Sequence, residues 1–250
     1  MAELRSNAEW KQWGEEDPLW GVASWAGKEK GGASPWTEEE FYALGVSDWE
    51  DFLAHWQQYA NIRQSCLEIG CGAGRLTRPI ALSFERVYAV DVSEHMVTRA
   101  RKAVSDFNVE FSIMDGVHLP QSDGSVTAVF SAHVLQHLDN VAAGFAYFRE
   151  FFRVLDTGGT LMVHLPLYEF PNESGALGTA MKSQYAVYRA FSNIKTNVNR
   201  RLRRKSMKGT LYPTQSLYCF LTSVGFKNVQ FRIFPLRTNG HLHSFVFATK

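Results

Sequence analysis

The sequence predicts an α/β protein built on a mostly parallel sheet. Three observations carry this. Short apolar strands alternate with helical patterns from about residue 64 to 166, the pattern of crossover units. The early strands end in glycine or aspartate, the residues that open a turn. Two closing strands are separated by a short loop, which brings them together antiparallel at a sheet edge. The chain has 250 residues, 45% hydrophobic and 20% charged, enough to bury one sizeable core.

The elements follow in order. Residues 1–61 are rich in aromatics and turn formers and hold every tryptophan of the chain: Trp10, Trp13, Trp20, Trp25, Trp36, Trp49 and Trp56. Ser47-Asp48-Trp49-Glu50 reads as a capping box, behind which Trp49, Phe52, Leu53, Trp56 and Tyr59 share one helical face. Ser65–Ile69 is the first strand, and Pro79 should shorten or kink the helix after it. Arg86–Val90 is the second strand, ending at Asp91. Ser93 caps a helix carrying Met96, Val97, Ala100 and Val104. Val109–Met114 is a third strand, ending at Asp115, and Val126–Ser131 is a fourth. Asp139 can open a helix with Phe145, Phe148, Phe152 and Leu155 on its apolar face. Gly159–Leu165 is the fifth strand. Thr214 caps a helix that Gly225 stops. Val229–Phe234 and Ser244–Ala248 complete seven strands. Residues 167–210 stand apart as an insertion with a basic stretch, Arg200-Arg201-Leu202-Arg203-Arg204-Lys205.

Composition excludes little else. The formal net charge is +1, so global charge gives no reason to expect nucleic-acid or membrane binding. No apolar run is long enough to span a bilayer, and the first residues lack the apolar core of a secretory signal. Cys66, Cys71 and Cys219 show neither a disulfide framework nor metal-ligand spacing. A reduced, cytoplasmic protein is expected, with no metal site.

The sharpest signal is Leu67-Glu68-Ile69-Gly70-Cys71-Gly72-Ala73-Gly74-Arg75. It comes after a strand and opens a helix, where glycines let the backbone turn tightly and approach a ligand. The dinucleotide pattern G-x-G-x-x-G does not close: Gly70-Cys71-Gly72 leads to Arg75, and Gly72-Ala73-Gly74 leads to Thr77. No phosphate-gripping lysine is present either. Asp91 lies about 20 residues further on, the distance at which an acidic side chain reaches ribose hydroxyls; the same position suits a carboxylate at the entrance of the next helix. Asp115-Gly116 either contacts an exocyclic adenine amine or forms an ordinary turn. All three features lie at carboxyl ends of strands, where open α/β sheets bind ligands.

These segments resemble the class I S-adenosylmethionine-dependent methyltransferases. LEIGCGAGR is similar to that family's first motif, VYAVDVSEHMVTRA to its second, and MDGVHLPQSDGSVTAVFSAHVLQHL to its third and fourth. The resemblance covers about residues 64–166, with weaker agreement in the final helix and strand pair. It implies a doubly wound, Rossmann-like seven-stranded sheet over residues 62–250, with S-adenosylmethionine as cofactor. It also implies cofactor-binding roles. Gly70, Gly72 and Gly74 line the methionine and ribose part, with Cys71 among them and Glu68 beside them. Asp91 holds the ribose, Val92 and Met96 flank the adenine, and Asp115 and Gly116 meet its edge. Ser131 begins the segment facing the methionine part and the acceptor.

The acceptor side is read from the residues after the fourth strand. The [DN]PP[YF] signature of amino-group methyltransferases is replaced by Ser131-Ala132-His133-Val134, and no Pro-Cys nucleophile is present. His133 lies just past a strand end and is the candidate general base for a hydroxyl acceptor; the alternative is a polar bridge between loop and helix. His164 ends the fifth strand and could face the same crevice. His137 reads as structural, and His241 and His243 as edge-hairpin residues. The expectation is methyl transfer to an oxygen of a small-molecule, glycan or lipid-linked acceptor, anionic if the arginine cluster gathers it. Protein or RNA methylation, and ligand binding without transfer, are the alternatives; nucleic acid is the weaker partner because aromatic interleaving in the cluster is sparse. Residues 1–61 and 167–210 are the segments expected to cap the site.

Overall fold

The structure, a computed structural model, describes residues 4–61, 64–104, 108–116, 118–168 and 209–250. The basic stretch and most of the insertion lie outside these residues. In chain order the elements are α1 (Arg5–Glu16), α2 (Pro18–Val22), α3 (Glu38–Gln57), β1 (Ser65–Ile69), α4 (Thr77–Ala81), β2 (Arg86–Asp91), α5 (Glu94–Ala103), β3 (Val109–Ile113) and β4 (Val126–Ser131). A 3₁₀ turn (Leu135–His137), α6 (Val141–Val154), β5 (Leu155–His164), β6 (Leu167–Tyr168), β7 (Tyr212–Pro213), α7 (Thr214–Val224), β8 (Lys227–Pro235) and β9 (Leu242–Thr249) complete the chain. Among the described residues no helix is long and apolar enough to cross a membrane.

Seven strands form one sheet in the order β3-β2-β1-β4-β5-β9-β8. β1 to β5 pair parallel, whereas β9 pairs antiparallel with both β5 and β8. The order reverses between β1 and β4, which opens a crevice at their carboxyl ends. The central strands β1 and β4 are buried on both faces, with side chains alternating between the two. Leu67, Ile69, Val129, Leu161, Val163 and Val246 pack on one face with Phe148, Phe151, Leu217 and Leu221. Cys66, Phe130, Met162, Phe245 and Phe247 pack on the other with Trp49, Phe52, Trp56 and Ile80. α3 is therefore a core helix under the sheet: Phe52 and Trp56 are fully buried.

Several ends differ from the sequence expectation. α3 starts at Thr37, whose hydroxyl accepts from the Glu40 N–H while the Glu40 carboxylate accepts from the Thr37 N–H. The expected box at Ser47 lies inside this helix, because a stronger start ten residues earlier carries it through. α6 is capped by Asn140, not Asp139: the Asn140 carbonyl oxygen accepts from the Ala143 N–H. The Asp139 carboxylate instead accepts from the backbone N–H groups of Arg5 and Ser6. A tertiary contact with the first turn of α1 thus took the more charged of two adjacent caps. Thr214 does not cap α7; it is the first helical residue, and its hydroxyl donates to the Tyr168 carbonyl. β5 begins at Leu155, directly after α6. Ser93 and Gly225 behave as expected, the first capping α5 and the second ending α7 at φ +117°.

Candidate active site

The glycine loop leaves β1 between its two neighbours. The N–H groups of Gly70 and Cys71 both donate to the Val90 carbonyl, at 2.8 and 3.1 Å, and tie the loop to β2. Gly70 sits at φ +74°, and a Cβ there would meet Val134 Cγ2 at 2.2 Å. Only glycine fits that conformation and that contact. Gly72, at φ +52°, is closely approached by Val22 of α2. The loop is thus pressed between the β4 exit and the amino-terminal helices.

A cavity of about 340 Å³ opens over this loop, within the range of small-molecule sites. Glu68, Gly70, Cys71, Gly72, Asp91, Val92, Met96 and His133 all line it. The remaining expected residues, Gly74, Asp115, Gly116 and Ser131, are not part of that lining. Gly74 packs against Ala100. Ser131 is fully buried, and its hydroxyl donates to the Ile69 carbonyl, bracing β4 against β1. The exposed Asp115 carboxylate accepts from the His118 N–H at 2.8 Å. Its carbonyl accepts from the Asn7 side-chain amide, which also lies against Gly116.

Two carboxylates define the electrostatics. Asp91 accepts from the N–H groups of Gly72 and Ser93, both at 2.9 Å. Burial raises its carboxyl above the ordinary value, against the pull of those donors. Glu68 is 3% exposed, and its Oε2 meets no partner among the described residues. Burial pushes its pKa up to about 7. A buried carboxylate oxygen without a donor calls for a cation or an N–H group in the cavity. Beside it Arg75 pairs with Asp48, both nearly fully buried, and Asp48 also accepts from the Thr238 hydroxyl at 2.6 Å.

His133, which lines the cavity, groups with two further imidazoles, His164 and His243. His133 has φ +60°, a strained conformation for a residue with a Cβ. Its ring centroid lies 4.2 Å from that of His164 and 5.2 Å from that of His243. Burial, then the neighbouring His164, holds its pKa well below the usual histidine value. His164 is pushed down to about 3, first by burial and then by His243. Burial lowers His243 as well. All three rings are therefore neutral at neutral pH.

The sequence pointed to residues 1–61 as a cap but not to the residues that form its wall. Asn7 and Trp10 of α1 and Val22 of α2 line the cavity, and the Trp10 ring packs 5.0 Å from that of His137. The sequence raised His164 for the crevice of His133 but read His243 only as an edge-hairpin residue. The signal available was that residues 133 and 164 both lie at strand ends; only the pairing of β9 beside β5 adds residue 243.

The cavity suits S-adenosylmethionine. That ligand is positively charged, which suits the buried Glu68 oxygen left without a hydrogen-bond partner among the described residues. Known proteins agree with this fit. A family model described as a methyltransferase domain matches residues 67–163. Malonyl-[acyl-carrier protein] O-methyltransferase of Hahella chejuensis is 35% identical over 101 residues, 40% of this chain and 35% of that protein. Demethylmenaquinone methyltransferase of Tropheryma whipplei is 29% identical over 117 residues, 44% of this chain and 47% of that protein. The chain thus spans less than half the length of these relatives. Among solved structures, a SAM-dependent methyltransferase from Methanosarcina mazei superposes with a TM-score of 0.58 at 18% identity, over 78% of this chain and 95% of that one. The two share a fold. With the glycine loop, Asp91 and the sheet order in place, residues 67–163 match a methyltransferase domain, and the chain has the fold of the S-adenosylmethionine-dependent methyltransferases.

Proposed function

We propose that this chain transfers a methyl group from S-adenosylmethionine to an oxygen of a small-molecule acceptor. One observation carries the reading: a single cavity is lined by the glycine loop, Asp91 and His133 together. When bound, the cofactor supplies a methyl group already activated by a positive sulfur. The residues of the chain then have three tasks: to align the acceptor, exclude water and deal with the acceptor's proton. Glu68, Gly70, Cys71, Gly72, Asp91, Val92 and Met96 hold the cofactor, with Asp115 and Gly116 at its edge. Ser131 positions them by bracing β4 on β1, and Gly74 by its close packing on α5. Trp10 and Val22 close the wall against water.

His133 is the group for the proton. A neutral imidazole accepts a proton from a hydroxyl at a ring nitrogen, and its strained backbone is the kind of outlier found at reactive positions. With an imidazole rather than an amine-gripping or Pro-Cys motif after β4, the favoured acceptor is an oxygen held directly, with no covalent enzyme intermediate. An anionic acceptor would meet the Arg75 guanidinium, paired with Asp48, in the cavity wall. The test is incubation of the protein and S-adenosylmethionine with hydroxylated and carboxylated small molecules, read by mass spectrometry for an added methyl. Methylation of nitrogen or carbon acceptors alone would overturn the oxygen assignment. Failure to bind S-adenosylmethionine would overturn the reading as a whole.

A further inference from the structure

His133, His164 and His243 come from three different elements. His133 lies just past β4, His164 ends β5, and His243 lies on β9 beside it. One ring nitrogen from each lies within 4.8 Å of the other two. Nδ1 of His243 is 3.2 Å from Nε2 of His164. Two ligands of a tetrahedral zinc ion with bonds of 2.0–2.1 Å stand roughly 3.3 Å apart, so that pair is already spaced as two ligands would be. His133 is the outer member and the one that faces the cavity. Nδ1 of His164 is buried without a partner among the described residues. Three imidazoles from separate elements thus converge: His164 and His243 share one hydrogen bond, and His133 joins them with no hydrogen bond of its own among the described residues.

We propose that His133, His164 and His243 bind one divalent transition-metal ion of the zinc class, with an open position facing the acceptor end of the cavity. Three imidazoles with no thiolate suit zinc or its neighbours better than magnesium or calcium, which prefer oxygen. Three protein ligands and one open position is the arrangement of catalytic zinc sites. The inference rests on the oxygen-acceptor reading and sharpens it. The ion binds the acceptor hydroxyl and lowers its proton affinity. The proton leaves to solvent water, an oxygen lone pair forms the bond to the methyl carbon, and the electron pair of the broken sulfur–carbon bond stays on sulfur. With the ion present, His133 acts as ligand and no longer as base. Residues 133, 164 and 243 have no short spacing, so no local motif announces a metal.

The experiment uses the full chain, treated with chelator and titrated with Zn²⁺ by calorimetry and with Co²⁺ by visible absorption. The site requires one equivalent bound at micromolar affinity or better, a tetrahedral cobalt spectrum, and about three nitrogen neighbours at about 2.0–2.1 Å by X-ray absorption of the zinc-loaded protein. His164→Gln and His243→Gln should each weaken zinc binding at least about 100-fold, as loss of a direct ligand exceeds the effect of losing an outer partner. Octahedral cobalt, weak multi-site zinc binding, or affinity untouched in the folded double variant would overturn the site. The wild-type spectra stand even if the variants fail to fold. S-adenosylmethionine binding, measured in the same samples, separates the two readings: the cofactor bound without zinc overturns only the metal site, and zinc bound without cofactor overturns only the proposed function.

Discussion

The carboxyl edge of the sheet has two halves that were put together differently. The half to which we assign the cofactor, at the ends of β1 and β2, is made of near neighbours in sequence: Glu68, Gly70 and Gly72 in one loop, and Asp91, Val92 and Met96 in one strand-to-helix junction. The half to which we assign the acceptor, at the ends of β4, β5 and β9, is made of residues 133, 164 and 243, which only the sheet order brings together. The first half depends on backbone geometry, with left-handed glycines and N–H groups gripping a carboxylate. The second depends on side chains. A site divided in this way can change its acceptor without disturbing its cofactor.

That division has separable consequences. The largest effect is expected from His133→Ala, which should lower turnover by about 10²–10⁴-fold while S-adenosylmethionine affinity, measured by calorimetry, stays nearly constant. A parallel loss of affinity would merge the two halves. Gly70→Ala should do the reverse. Its φ of +74° and the 2.2 Å approach of Val134 strain the loop, and binding should fall by roughly 2–4 kcal/mol. Thermal unfolding of the variant tells loop damage from global loss of stability. Asp91→Ala should weaken binding by about 1.5–3 kcal/mol, the worth of a hydrogen bond to a charged group. Unchanged affinity in the folded variant would remove Asp91 from the ribose role.

The smallest effect is a pH dependence set by Glu68. Its folded pKa of about 7 stands above the ordinary value of 4.5, so the ligand-free fold holds a proton that the unfolded chain has lost. This contribution to stability is fully present below about pH 4.5 and is lost as pH rises through about 7. Glu68→Gln should therefore be the more stable protein above pH 7, by roughly 1–3 kcal/mol in denaturant melts. A cationic ligand favours the ionised form. S-adenosylmethionine should then bind more tightly, by up to about tenfold, as pH rises from 6 to 8, with release of a proton, and Glu68→Gln should abolish that trend.

The same division governs how much was legible in the sequence. The seven strands, the glycine loop, Asp91 and the Ser93 cap could be read because each depends on neighbouring residues. Helix starts failed where two good candidates competed. Thr37 with Glu40 outran the box at Ser47, and Asn140 replaced Asp139 because α1 docks on the Asp139 carboxylate. His243 read as an edge-hairpin residue, since nothing local says that β9 inserts between β5 and β8. The cap of residues 1–61 was expected, but which of its residues form the wall, Asn7, Trp10 and Val22, could not be read, for their placement exists only once the amino-terminal helices fold over the sheet.

The placement of the indoles gives the protein an optical probe of its own. All seven tryptophans lie between residues 10 and 56. Trp10 and Trp25 border the cavity, whereas Trp49 and Trp56 are sealed beneath the sheet. Ultraviolet emission from the unlabelled chain therefore carries a responsive component beside the ligand and a shielded one that serves as internal standard. Collisional quenchers should reach the first and spare the second, so occupancy of the cavity can be followed in real time without attaching a dye.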